Sequence, residues 1–255
     1  MGVEKVAVVT GATSGIGAAL CRRLVTAGVC VVAAADDAAG LRELSRGLDG
    51  ANRYTRLVDV TDDERVRRLL TGTVADLGRI DYLFNNADIR VDGEFESFTR
   101  QQWHDLVDVN MWGVVHGTRH GYALMRAQGF GHIVNTASVA GLVPTARSVA
   151  YAMTQHAVVG LTTSLRAEAV GTGVRISVAV PGALSSRSTA VTGAAAKVRK
   201  PIDVISPDRA ACAIMRGMRR NQQYIVVPRH SRAMIAAFRW FPNLLGGVLA
   251  PQRRG

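Results

Sequence analysis

Tyr151 and Gln155 stand four positions apart in the stretch YAMTQ, which reads as helix, so both side chains face the same way. A phenol in that place can give a proton to a reacting oxygen or take one from it. With an ordinary pKa of about 10 it is a donor at neutral pH, and it becomes a base only where a neighbouring cation favours tyrosinate. An ammonium about 5 Å away would contribute roughly 3 kcal/mol at an effective dielectric near 20, or about two pKa units. Gln155 offers an amide and no charge. His156 comes next, but adjacent helical residues point about 100° apart, which turns it to the flank.

Other residues able to do chemistry fall at the ends of apolar runs. TGATSGIG, residues 10–17, carries Gly11, Gly15 and Gly17 at the start of a helical pattern. Such glycines let a backbone approach a pyrophosphate, which then rests on the amides and positive end of the helix. Asp59 and Val60 end a third run, where a carboxylate can accept from an adenine amino group or simply make a turn. Asn85, Asn86 and Ala87 end a fourth, Ser138 a fifth, and Pro181 and Gly182 a sixth. Asn110 interrupts the apolar stretch VDVNMWGVV, as a satisfied core amide or as a functional one.

The elements that position these residues alternate. The runs KVAVVT, CVVAA, RYTRLV, YLFN, HIVNTA, RISVAV and YIVV read as strands. Between them lie helical patterns at Gly15 to Ala27, Ala39 to Leu48, Asp62 to Leu77, Thr99 to Ala127, about Tyr151 to Ala169, and from Ser206 onward. Strand then helix, repeated, predicts an α/β fold, a doubly wound and mostly parallel seven-stranded sheet with helices on both faces. Thr61 with Glu64 and Thr99 with Gln102 match the capping box, and Ser206 precedes Pro207 as cap and first helical residue. Residues 1–255 read as one domain, with 183–205 as a substrate flap and 228–255 as a basic amphipathic tail.

Composition narrows the classes. No secretory leader pattern opens the chain, so a cytoplasmic protein is expected, peripheral to a membrane if the tail anchors it. Cys21, Cys30 and Cys212 show neither disulfide nor zinc spacing and are expected as buried thiols, with no metal site. Of the net charge of +11, the whole excess lies in residues 187–255, which hold 13 Lys and Arg against 2 Asp and Glu. That end fits an anionic membrane surface or an acidic carrier. Nucleic acid is not expected, because no binding motif accompanies the charge. In the tail, Met234, Ile235, Phe238 and Phe241 share one side of a helix and Arg229, Arg232 and Arg239 another.

Taken together, TGATSGIG, Asp59-Val60, NNA, Asn110, Ser138, Tyr151 and PGALSS resemble the short-chain dehydrogenase/reductase family in its form of about 250 residues, from Val3 to Val227. The resemblance implies an NAD(P)-dependent oxidoreductase that interconverts a hydroxyl and a carbonyl on a small molecule. It implies catalytic roles for Ser138, which would hold the substrate oxygen, Tyr151 as acid and base, Asn110 on a relay water, and Gln155. It implies cofactor contacts from Gly11, Ser14, Gly15, Ile16, Gly17, Asp36, Asp59, Val60, Asn86, Ala87, Gln155, Pro181, Gly182 and Ser186, and a homodimer or homotetramer packed around Asn110 and Tyr151. Two positions depart from the family pattern: Gln155 replaces its lysine and Asp88 its glycine. Gln155 could still bond ribose hydroxyls, so positioning is kept while pKa tuning is lost, and reduction should suffer less than oxidation. Asp88 is either a negative charge beside the cofactor or a side chain turned to solvent. Asp36 would repel a 2'-phosphate, which favours NAD modestly over NADP, although Arg22 and Arg23 could meet that phosphate. Trp112, Leu142, Val143 and Leu184 suggest a fairly apolar substrate. The alternative is a non-catalytic member that senses dinucleotide or binds protein.

Overall fold

The computed structural model describes residues 5–48, 53–182 and 205–243. Seven strands, β1 (Val6–Thr10), β2 (Cys30–Ala35), β3 (Arg53–Leu57), β4 (Tyr82–Asn85), β5 (Gly131–Thr136), β6 (Val174–Pro181) and β7 (Tyr224–Val227), form one sheet in the order β3-β2-β1-β4-β5-β6-β7. Every neighbouring pair is parallel. The crossovers are α1 (Gly15–Thr26), α2 (Ala38–Arg46), α3 (Asp63–Leu77), α4 (Arg100–Val107) continuing into α5 (Gly113–Gln128), α6 (Val149–Glu168) and α7 (Pro207–Arg219), and α8 (Ser231–Trp240) follows β7.

Strand periodicity divides the core between the two faces. Ala7, Val9, Val31 and Ala33 pack with Leu20 and Leu24 of α1 and Ile214 and Met218 of α7. Val8, Val32 and Ala34 point the other way, toward Val66 and Leu70 of α3 and Met125 of α5. Near-continuous apolar runs are what such strands require, because helices cover both sides.

Helix starts follow local chemistry closely. Thr99 and Gln102 form the expected capping box on α4, and Ser206 accepts from the Arg209 amide ahead of Pro207 on α7. The second expected box is corrected: Asp62, not Thr61, caps α3 by accepting from the Arg65 amide at 3.0 Å. Thr61 is drawn back instead, its amide and hydroxyl both donating to Asp59 Oδ1 at 2.9 and 2.8 Å. The single helix expected from Thr99 to Ala127 is broken by a π-type turn at Asp108–Trp112, centred on Asn110. Cys21 and Cys30 are buried but Cys212 is only partly so, since it lies on the flank of α7. The tail helix also differs from expectation: Ile235 packs inward, while Met234 and Phe241 are exposed.

Candidate active site

The site assembles beyond the carboxyl ends of β1, β4 and β5, where the sheet order reverses direction and a crevice opens. At its β1 side the glycine turn is tight because nothing larger fits. Gly11 takes a φ of +58°, and a Cβ there would lie 2.6 Å from Ala87 Cα; one on Gly17 would lie 2.1 Å from the Gly11 carbonyl oxygen. Asn86 braces the turn, its side-chain amide donating to Gly11 O at 3.3 Å and Ser14 Oγ at 3.1 Å. Thr10 Oγ1 accepts from the amides of Asn86 and Ala87 at 3.0 and 3.3 Å. Ser14 caps α1 on the Gly17 amide at 3.3 Å. The amides of Gly15 and Ile16 head the positive end of α1 above a turn that Gly11 opens. This end of the crevice fits the pyrophosphate of a dinucleotide.

Along the same edge Asp36 is exposed just after β2, and its neighbour Asp37 caps α2 on the Ala39 amide at 3.0 Å. Asp59 is exposed with one oxygen committed to the Thr61 turn, and Val60 is buried. Pro181 closes β6, and the Gly182 amide donates to Val227 O at 2.7 Å. Arg23 is not available to a phosphate, because it forks onto Asp208 at 2.7 and 2.5 Å. Ser186, Leu184 and the expected flap up to residue 204 lie outside the described residues. Among the described residues, no three His, Cys, Asp or Glu side chains are grouped to hold a metal.

The chemistry-bearing side chains meet at the other end. Ser138 leaves β5 in extended conformation and heads the short turn Val139–Gly141, its Oγ accepting from the Ala140 amide at 3.2 Å. Tyr151 lies buried in the first turn of α6, which begins two residues earlier than expected. Asn110 does not face an open cleft. Its side chain pairs with the backbone of Ile89, accepting from the amide and donating to the carbonyl at 2.8 Å each, and reaches Thr154 Oγ1 at 3.4 Å. The π-type turn thereby ties down the residue after Asp88.

Asp88 joins the two positions of the opening stretch. The Tyr151 hydroxyl donates to its Oδ2 at 3.1 Å, and Gln155 Nε2 donates to its Oδ1 at 2.9 Å. The opposite assignment of the Gln155 amide would set two acceptors together against an ionised carboxylate. As assigned, Gln155 Oε1 is buried without a partner. Above the Tyr151 ring, 5.2 Å from its centroid, sits the Arg90 guanidinium, which is held by Asp92 at 2.9 and 3.0 Å and reaches Ser148 Oγ at 3.1 Å. His156 turns back to the Ala152 carbonyl at 2.8 Å, on the flank as expected.

These contacts move the titrations. Tyr151 does not keep its ordinary value: burial, then the Asp88 charge, push it well above 10, while Ser138 and Arg90 pull it down. The protein packed around Asp88 pushes its carboxyl up to about 7, against hydrogen bonds from Tyr151 and Gln155 and the charge of Arg90. The residue as a whole is nevertheless exposed to solvent. The expectation of a side chain turned to solvent is corrected: although the residue is exposed, its carboxylate turns inward to Tyr151 and Gln155. Arg90, Asp92 and Ser148 were not singled out from the sequence. The available signal was the coincidence of a new acid at 88 with a missing cation at 155.

The model of the short chain dehydrogenase family matches residues 5–197. An uncharacterized oxidoreductase of Staphylococcus saprophyticus is 36% identical over 188 residues, which cover 73% of this chain and 76% of that protein. The crystal structure of a short chain dehydrogenase/reductase from Burkholderia phymatum in complex with NAD superposes with a TM-score of 0.83 at 27% identity, covering 94% of this chain and 95% of that one. A metagenomic short-chain oxidoreductase in complex with NADP gives a TM-score of 0.74 at 30% identity, covering 88% and 96%.

Proposed function

The chain belongs to the short chain dehydrogenase family and is an oxidoreductase of the NAD(P)-dependent type, and from that premise we propose that it interconverts a hydroxyl and a carbonyl on a fairly apolar small molecule with attenuated proton transfer. One observation carries the reading. Ser138 and Tyr151 converge at the same carboxyl end of the sheet as the glycine turn, so a substrate oxygen and a dinucleotide can be held together. The dinucleotide, when bound, gives or takes the hydride. Ser138 would orient the substrate oxygen, Tyr151 would exchange its proton, and Asn110 would hold the loop that walls the site. Gln155 stands in the place of the family's lysine, and attenuation follows because nothing cationic at that position lowers the raised pKa of Tyr151.

The exposed carboxylate of Asp36 supports NAD over NADP, since it would repel a 2'-phosphate and can bond ribose hydroxyls. Leu142 and Val143, directly after the turn headed by Ser138, support an apolar substrate. The exposed arginines 229, 232 and 239 and the exposed Trp240 and Phe241 fit an anionic surface or acidic carrier. Anionic vesicles should then retain the full chain and release one ending at Val227.

A non-catalytic, dinucleotide-sensing or protein-binding role is the second reading, favoured by Asp88 already occupying the donors of Tyr151 and Gln155. Fluorescence titration of NADH and NADPH into the native protein and Gln155→Lys separates the two. Saturable binding by the native chain, tighter for NADH, is the expected result. Binding that appears only with lysine at 155 would establish the second reading.

A further inference from the structure

Every proton acceptor needs somewhere to send its charge, and in this chain the phenol has no cation at position 155 to lean on. What it has is a carboxylate. The Tyr151 hydroxyl donates to Asp88 Oδ2 at 3.1 Å, which leaves the phenol oxygen's lone pairs for an incoming hydroxyl. Asp88 Oδ1 is fixed from the far side by Gln155 Nε2 at 2.9 Å. The loop that carries Asp88 is clamped one residue later by the two Asn110 bonds to Ile89. Two bonds thus hold the Asp88 side chain and a third contact holds its loop, and Asp88 and Gln155, which face each other here, are the two positions that depart from the family pattern.

We propose that Asp88 is the terminal proton acceptor of the site, taking the phenolic proton of Tyr151 as the phenol takes that of the substrate, with Gln155 as the residue that positions the carboxylate. The proposal rests on the oxidoreductase reading above. In the oxidising direction the carbinol C–H bond would break with its electron pair leaving as hydride, for which a bound dinucleotide would supply the acceptor. The substrate O–H proton moves to the Tyr151 oxygen, the Tyr151 proton moves to Asp88 Oδ2, and the carbonyl forms. Tyr151 ends neutral, as it began, and Asp88 ends as a carboxylic acid, which returns its proton to water on the exposed side of the residue. No tyrosinate has to accumulate, so the absence of a lysine no longer forbids the reaction.

The groups acting on the Asp88 charge are Tyr151 and Gln155 from α6 and Arg90 from its own loop, the last already paired with Asp92. All three favour the ionised carboxylate, and the protein packed around Asp88 is what brings it into the neutral range. Its upward shift, to about 7, agrees with that role.

The test follows selectively 13C-labelled Tyr Cζ and Asp Cγ resonances by NMR from pH 5 to 9 in the native protein, Asp88→Asn and Gln155→Lys. NADH binding is measured by fluorescence in the same samples and in Asp88→Gly. The expected result is a Tyr151 Cζ step that tracks Asp88 titration in the native chain, vanishes in Asp88→Asn, and moves to lower pH in Gln155→Lys, where a cation favours the carboxylate. With NAD and cyclohexanol as probe, native oxidation should level off above the Asp88 step, and Asp88→Asn should lose at least tenfold in kcat with KM little changed. A Tyr151 signal indifferent to Asp88 would overturn the proposal, as would NADH binding that appears only in Asp88→Gly, since the carboxylate would then be a plug. Failure of NADH to bind any of the four proteins would sink the oxidoreductase reading instead, while the NMR coupling would still decide whether the pair exchanges a proton.

Discussion

Asp88 and His132 are two buried-side titrations with opposite consequences for stability. Packing raises Asp88 from 3.8 to about 7, so over that window the folded state holds a proton the unfolded chain has released, and stability falls as pH rises. Burial lowers His132 from 6.5 to about 3, so over that window the unfolded chain binds the proton and stability falls as pH drops. The His132 ring stays neutral on Ser177 Oγ at 2.8 Å, whose own hydroxyl donates to Gln222 O at 2.6 Å. Because the windows overlap, the two slopes offset each other between about pH 4 and 6.5. Asp88→Asn should expose the His132 slope: its Tm, followed by circular dichroism, should fall more steeply than the native value on acidification through this range. Relative to the native chain, the variant should gain most above pH 7. A native profile already as steep as the variant's would mean that the open cleft leaves Asp88 near its ordinary value. His132 was invisible in the sequence because HIVNTA reads simply as strand, and only pairing with β6 brings Ser177 beside it.

Among the elements, the π-type turn at Asp108–Trp112 does what a regular helix there would not. The extra residue in the turn accompanies an Asn110 side chain directed at the Ile89 backbone, joining the helix to the loop that bears Asp88. Asn110→Ala leaves an amide and a carbonyl without that partner and should cost about 2 kcal/mol in urea denaturation. It should also weaken NADH binding, because the loop that walls the cleft loses its clamp. Thr99→Ala, which removes the capping box of α4, should cost about 1 kcal/mol while leaving NADH binding unchanged. Equal effects of the two variants on binding would show that Asn110 only stabilises the fold. The break in this helix was not legible, since a polar residue within the helical pattern of VDVNMWGVV does not by itself signal an inserted residue. Asn110 itself was legible as a polar interruption, core-satisfied or functional, and its amide is buried and bonded to the Ile89 backbone.

For the molecule as a whole, exposure is uneven. Val149 and Met153 form an i, i+4 stripe on α6, exposed at 41% and 45%, and Trp112 at 48% projects from the turn before α5. Large apolar groups left outside the core on these helices suit the expected packing between copies around Asn110 and Tyr151. Met153→Glu should therefore lower the sedimentation coefficient to that of a monomer while preserving the circular dichroism of the fold. An unchanged coefficient would place any interface elsewhere. No helix among the described residues is long and apolar enough to cross a membrane. The alternation of apolar runs with 3.6-period segments was enough to determine seven parallel strands with helices on both faces, because burial on two sides demands uninterrupted apolar strands and short crossovers demand one hand. The same string placed the glycine turn, Ser138 and Tyr151 at strand and helix ends, since local spacing decides which residues leave an element together. It could not determine that Asp88 reaches Tyr151 and Gln155, residues 63 and 67 positions away. That contact depends on β4 and β5 lying side by side and on Asn110 drawing the loop inward, and the shifts of Asp88 and Tyr151 follow from the protein packed around them. Charge and hydrogen bonding act through space over a few ångströms, and only the tertiary structure says which distant residues share that space.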